Sequence, residues 1–233
     1  AAKGENPMPF HTNHNIRLAA ASLLALLLSS YLFANNGHAE ELREISKVNG
    51  GIRIAASEQV GEVSSVNGGI DIGRNARATS VETVNGGIEI DDGAEIDSAE
   101  TVNGGIRVDD NVIVRRSLET TNGDIRVGSG SKVGGTIETV NGKITLDNTH
   151  VGDSVITTNG DVLIRNGSVI EGDVVFEGRR RGWTRWFNWG NKTPDLVIDA
   201  DAEVKGDIRL YHEVTLKIAE GARVGDIKRH YRD

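Results

Sequence analysis

The chain has 233 residues, a formal net charge of −8, 29 glycines, 4 % aromatic residues and no cysteine. The acidic balance argues against broad nucleic-acid binding, and the lack of thiols excludes disulfides, thiolate metal sites and cysteine nucleophiles. With so few large rings, the core must be filled by Val, Ile, Leu, Ala and Thr, as in stacked coils rather than a conventional globular interior.

In chain order, the first readable element is the apolar stretch 18–33 (LAAASLLALLLSSYLF). Arg17 precedes it, and Gly37 and Ala39 supply the small −3 and −1 residues of a cleavage site. The stretch is short for a membrane span, which needs about 20 residues. The pattern therefore predicts an N-terminal extension and cleaved secretory signal over 1–39, with an uncleaved anchor as the competing reading. Met8 as the true start, with residues 1–7 upstream of it, stays open. A signal of this kind places the mature chain in the periplasm, or secreted to the cell surface.

Seven Asn-Gly steps follow, at Asn49, Asn67, Asn85, Asn103, Asn122, Asn141 and Asn159, with successive intervals of 18, 18, 18, 19, 19 and 18. A fixed period of roughly 20 residues is the mark of a solenoid, whose repeats bury their apolar faces only by stacking. Aligned on Asn, each unit reads roughly V/I-E-T-V-N-G-G-I-x-I. Apolar residues recur three and five positions after Asn, from Ile52 and Ile54 to Val162 and Ile164, which is the period-two pattern of a strand with one buried face. Asn-Gly permits positive φ and hence a sharp bend. A stack of hairpins would also use Asn-Gly, but flanking strands of about four residues and the return to phase at every Asn favour a parallel coil. The predicted fold is all-β: a single-stranded parallel β-helix, or β-solenoid, of about 18 residues per coil, in the right-handed form. Nine or ten coils at about 4.8 Å each would make a rod on the order of 45 Å long.

Stacking turns sequence columns into ladders. The Asn column is expected to pass amide hydrogen bonds from coil to coil. Two residues before it runs a mostly hydroxyl column, from Lys47 and Ser65 to Thr157. One residue earlier, Glu82, Glu100, Glu119 and Glu138 stack like charges, so that face is expected to be solvated or counter-ion bound. After the first Ile, the signs mix (Arg53, Asp71, Glu89, Arg107, Arg126).

Beyond Val162 the motif changes to a Gly-Asp series, at Gly172, Gly206 and Gly225, with intervals of 34 and 19. The longer interval holds one coil plus the segment 178–192 (GRRRGWTRWFNWGNK), read as an insertion. The solenoid is thus expected over 40–228, with a polar tail at 229–233.

The VNGGI repeats behind a signal resemble bacterial adhesin-like domains of unknown function. The C-terminal part (DLVIDADAEVKGDIRL, EGARVGDIK) resembles bactofilin-like polymer-forming β-helices that stack end to end. Bactofilins are shorter and cytoplasmic, so this chain departs from them in its signal and its insertion. The resemblance implies architecture and brings no catalytic motif.

Two clusters stand out as candidate sites. The insertion gathers Arg179, Arg180, Arg181, Trp183, Arg185, Trp186, Phe187 and Trp189, suited to sugar stacking, a partner hot spot or a membrane interface; the bland reading is that the rings cover the side or end of the stack. Asp91, Asp92, Asp109 and Asp110 fall on consecutive coils and could hold Ca²⁺, against a reading as solvated turns with Arg74 supplying charge. No other cofactor is expected. His150, His212 and His230 lack metal-ligand spacing, and neither a nucleophile elbow nor a phosphate loop is present. The expectation is a non-enzymatic, exported scaffold or adhesin-like protein of the bacterial envelope, self-associating through its ends or contacting an envelope glycan or protein, and without nucleic acid. The alternative is a β-helix that binds or degrades polysaccharide.

Overall fold

The computed structural model describes residues 42–178 and 193–231. Every paired strand in it is parallel, and the described residues contain no helix. The chain winds as a β-solenoid of about nine coils, each with three flat faces. Face one begins with Ile45–Asn49 and Val63–Asn67 and ends with Ile208–Leu210 and Ile227–Arg229. Face two starts at Ile52–Ile54 and ends at Thr215–Ile218. Face three is made of shorter rungs, such as Ile113–Val114 and Lys132–Val133. In the Asn column and the buried apolar columns, like pairs with like: Asn49 with Asn67, Ile52 with Ile70, and Val114 with Val133.

The core is the sum of these columns. Face two contributes Ile52, Ile70, Ile88, Ile106, Ile125, Ile144 and Val162, none more than 3 % exposed. Face three contributes Ile96, Val114, Val133, Val151 and Ile170, and Phe176 is the aromatic ring among the fully buried side chains. β-branched residues suit these short, one-face-buried strands because their restricted χ1 packs well on the pleat.

The coils lengthen by one position after Asn103, and the cause is local. From Ile96 to Ala99 the chain passes from face three to face one without a break, inside the nine-residue strand Glu95–Asn103. From Val114 to Leu118 there is one residue more, and strand pairing stops between Ile113–Val114 and Leu118–Asn122. The long Gly-Asp interval resolves in a similar way. Val162 pairs with Leu196, and Phe176 with Leu210, so the coils before and after the insertion stay in register.

The two-strand corner requires a correction. Of the seven Asn-Gly glycines, only Gly50 has positive φ, at 95°. The others are needed because the backbones nearly touch: a Cβ on Gly104 would lie 1.9 Å from the Gly86 carbonyl oxygen, and one on Gly142 1.9 Å from that of Gly123. Left-handed backbone instead marks the corner between faces two and three, at Ser57, Asn75, Gly93, Asn111, Gly130, Asn148 and Asn166. Asn and Gly are the residues that tolerate that region.

Candidate functional site

The asparagine column forms a continuous ladder. Each Asn from Asn67 to Asn159 donates its Nδ2–H to the Oδ1 of the Asn one coil before it, at 2.9–3.2 Å. Beneath it, the hydroxyl column points inward. Thr83, Thr101, Thr120 and Thr139 donate from Oγ1 to the carbonyls of Gly68, Gly86, Gly104 and Gly123. These bonds tie the bend of one coil to the strand of the next. Because the amides are solvent-accessible, removing one should cost little: Asn103→Ala breaks two ladder bonds and is expected to lower stability by about 1 kcal/mol. Asn49→Ala breaks one and should cost less, as urea unfolding of both variants would show.

The glutamate column occupies the outer side of face one, with Glu82 paired to Glu100, Glu100 to Glu119, and Glu119 to Glu138. Alternation puts the half-buried Val84, Val102 and Val140 on that same side, two residues along. The column is not the solvated face expected from stacked charges. Glu138 is only 6 % exposed. Burial, with Glu119 and Glu177 nearby, pushes its carboxyl up to about 8. Burial beside Glu119 and Glu82 does the same to Glu100, also to about 8. Desolvation disfavours the charged form, so protonation relieves the repulsion that counter-ions were expected to absorb. Glu82 and Glu119, the alternate rungs of the column, accept hydrogen bonds from Ser80 and Ser117 at 2.7 and 2.8 Å.

Face two is charged and exposed. Arg53 pairs with Asp71 on the next coil at 2.8 Å, while Arg107 and Arg126 turn to Asp109 and Asp124 of their own coils. The predicted acid patch lies where this face turns toward face three. Asp91 and Asp109 take equivalent places, as do Asp92 and Asp110, but Asp92, Asp109 and Asp110 already hold partners. Asp92 accepts from Arg74 at 3.2 Å and from the Asp110 backbone N–H at 3.2 Å. Asp110 accepts from the Ser129 N–H at 2.8 Å, and Asp109 binds Arg107 at 2.9 Å. Among the described residues, no group of three or more His, Asp or Glu side chains is placed to hold a metal ion. A calcium ion would have to displace Arg74 and Arg107, so millimolar calcium is expected to leave the melting temperature unchanged; a rise of several degrees would reveal a site here. Asp91 faces a shallow depression of about 470 Å³ that it lines with Arg53, Asp71, Arg74 and Glu89.

The insertion residues Arg179, Arg180, Arg181, Trp183, Arg185, Trp186, Phe187 and Trp189 lie outside the described residues. Past them, the corner that carried asparagine becomes aromatic. His212 Nε2 meets the Thr158 carbonyl at 2.9 Å, and its ring stands edge-on to Phe176 with centroids 6.3 Å apart. Tyr211 stacks on His230 at 4.6 Å. Sequence reasoning missed this column, although its signal is present: Tyr211-His212 and His230-Tyr231 recur one coil apart. His150 lies elsewhere, on face three, 2.9 Å from Glu171, which Lys205 also binds at 2.9 Å. These two partners hold the Glu171 carboxyl below the usual range.

No protein-family model, characterised protein or solved structure matches the chain.

Proposed function

We propose that this protein is an exported, non-enzymatic scaffold of the bacterial cell envelope, adhesin-like in its use of a rod to display repeated polar columns. The observation that supports this reading best is the closure of the ladders. Asparagine amides bond to asparagine amides, and arginines on face two to neighbouring carboxylates, so the polar groups of the repeat are spent on the rod itself. The apolar stretch at 18–33 with its small-residue cleavage pattern supports export. Expression of the full chain in a bacterial host, with cell fractionation and intact-mass analysis, tests this. The expected product begins at Glu40 and fractionates with periplasm or envelope; a cytoplasmic product with its N-terminus intact would overturn the reading.

A second reading, glycan binding, is favoured by the depression where Arg53 and Arg74 meet Asp71, Glu89 and Asp91. It predicts retention on a neutral polysaccharide, whose hydroxyls these side chains would hydrogen-bond, that is lost in the R53A/R74A variant. Equal retention of both proteins, or of neither, would count against it.

A further inference from the structure

An open β-solenoid end exposes unpaired backbone groups and the last rung of its core, which is a template for a second copy stacked head to tail. The register shows what such a copy would meet. On face one, the inward column two residues before each Asn is fully buried along the rod: Ser65, Thr83 and Thr157 are 0 % exposed, and so is Leu210 near the far end. At both ends, this same column carries an exposed cation. Lys47 pairs with Ser65 at the first rung, and Arg229 with Leu210 at the last described rung. On face two, the outward column likewise starts with Arg53 and ends with Lys217.

Three of these end cations are held toward their own rod. Arg53 binds Asp71 at 2.8 Å and Lys217 binds Asp195 at 3.2 Å, each one coil inward, while Lys47 Nζ bonds the Gly51 carbonyl at 3.0 Å. Continuing the parallel register from one copy to the next sets Arg229 over Lys47, and Lys217 over Arg53, at about 4.8 Å. The first of these contacts lies in the column that the interior keeps dry. Two like charges would be taken out of water together without a carboxylate between them, which is among the costliest arrangements a protein interface can contain. The backbone hydrogen bonds gained at the joint are individually worth far less.

We infer that Lys47 and Arg229, at the end rungs of the described solenoid, are end stops that keep one rod from stacking head to tail on another. This goes beyond the envelope reading and does not depend on it, since it follows from coil register alone. It also answers the self-association expected of open solenoid ends: the template is present and is blocked by charge at both faces of the joint.

The test is sedimentation velocity and negative-stain electron microscopy of the full chain in non-ionic detergent at 50 µM. The native chain is expected as single rods. Lys47→Thr combined with Arg229→Leu gives the inward column the residue types it has in the interior, and should at least double the mass through linear stacking. Lys47→Glu, a surface change at one end that leaves the core rungs alone, sets a carboxylate opposite Arg229 and should also produce linear stacks. Linear stacks of the native chain, or single rods for both variants with unchanged circular dichroism, would overturn the inference.

Discussion

Replacing Gly104 by alanine is expected to destabilise the protein by about 3–5 kcal/mol and to lower its melting temperature by roughly 10 °C. The new Cβ would sit 1.9 Å from the Gly86 carbonyl oxygen and 2.4 Å from its carbon. Neither is the end of a flexible side chain, so two coils must separate at the corner. The loss would extend to the Thr101 and Thr120 hydroxyl bonds to Gly86 and Gly104, which hold that corner together. Gly87→Ala is the control. A Cβ there meets the Gly105 carbonyl at 3.4 Å, near ordinary contact, and the expected change is within about 0.5 kcal/mol. Gly50→Ala tests the other property of glycine. Its Cβ would enter open space, but φ is 95°, so the cost should be about 1 kcal/mol of backbone strain. Thermal melts of the three variants should place Gly104→Ala far the worst, Gly50→Ala next and Gly87→Ala closest to the native chain.

The second large effect is a loss of stability as pH rises from about 4.5 to about 8. Glu100 and Glu138 have carboxyls raised from 4.5 to about 8 in the folded chain. Between those values the folded state binds more protons than the unfolded state, so stability falls as pH rises through the window and levels off above about 8. Their contribution is fully present below pH 4.5, where both states are protonated. Glu171, Glu203 and Asp207 are shifted downward by Lys205, Arg223 and Lys228 and act in the opposite sense, losing stability as pH falls through their folded values. The combination Glu100→Gln with Glu138→Gln should flatten the slope between pH 4.5 and 8 and raise stability at pH 9 by about 2 kcal/mol, a figure reduced for the partial exposure of Glu100. Urea midpoints at pH 5, 7 and 9 measure it. A slope identical in the native chain and the double variant would show that these carboxyls are solvated after all.

How much of this was legible in the sequence depends on whether spacing alone determines the outcome. The Asn ladder was legible because stacking equal positions forces equal side chains together, and an amide can both donate and accept along the column. The buried Ile columns followed from alternation for the same reason. The glycine of Asn-Gly was legible as necessary but not for the right cause: local backbone rules suggest positive φ, whereas the close approach of a neighbouring coil is a tertiary fact. The second corner escaped notice because its left-handed residues alternate between Asn and Gly in segments whose flanking residues vary. The glutamate column showed like charges at stacking distance, but the burial that makes protonation the resolution depends on how the side chains lie on face one. The aromatic corner at Tyr211, His212 and His230 was hidden by the long Gly-Asp interval, which breaks the period just before it.

The central claim is that sequence columns are physical ladders, one coil per rung, unbroken across the insertion. The chain has no cysteine, so spin labels can be placed at pairs of introduced cysteines and their separations read by double electron–electron resonance. Arg53 and Thr145 lie five rungs apart in the middle column of face two, as do Arg107 and Lys217, although the second pair includes the insertion. Both pairs are predicted at about 24 Å, and Arg53 with Lys217, eight rungs apart, at about 38 Å. A clearly longer distance for Arg107 with Lys217 than for Arg53 with Thr145 would contradict the account.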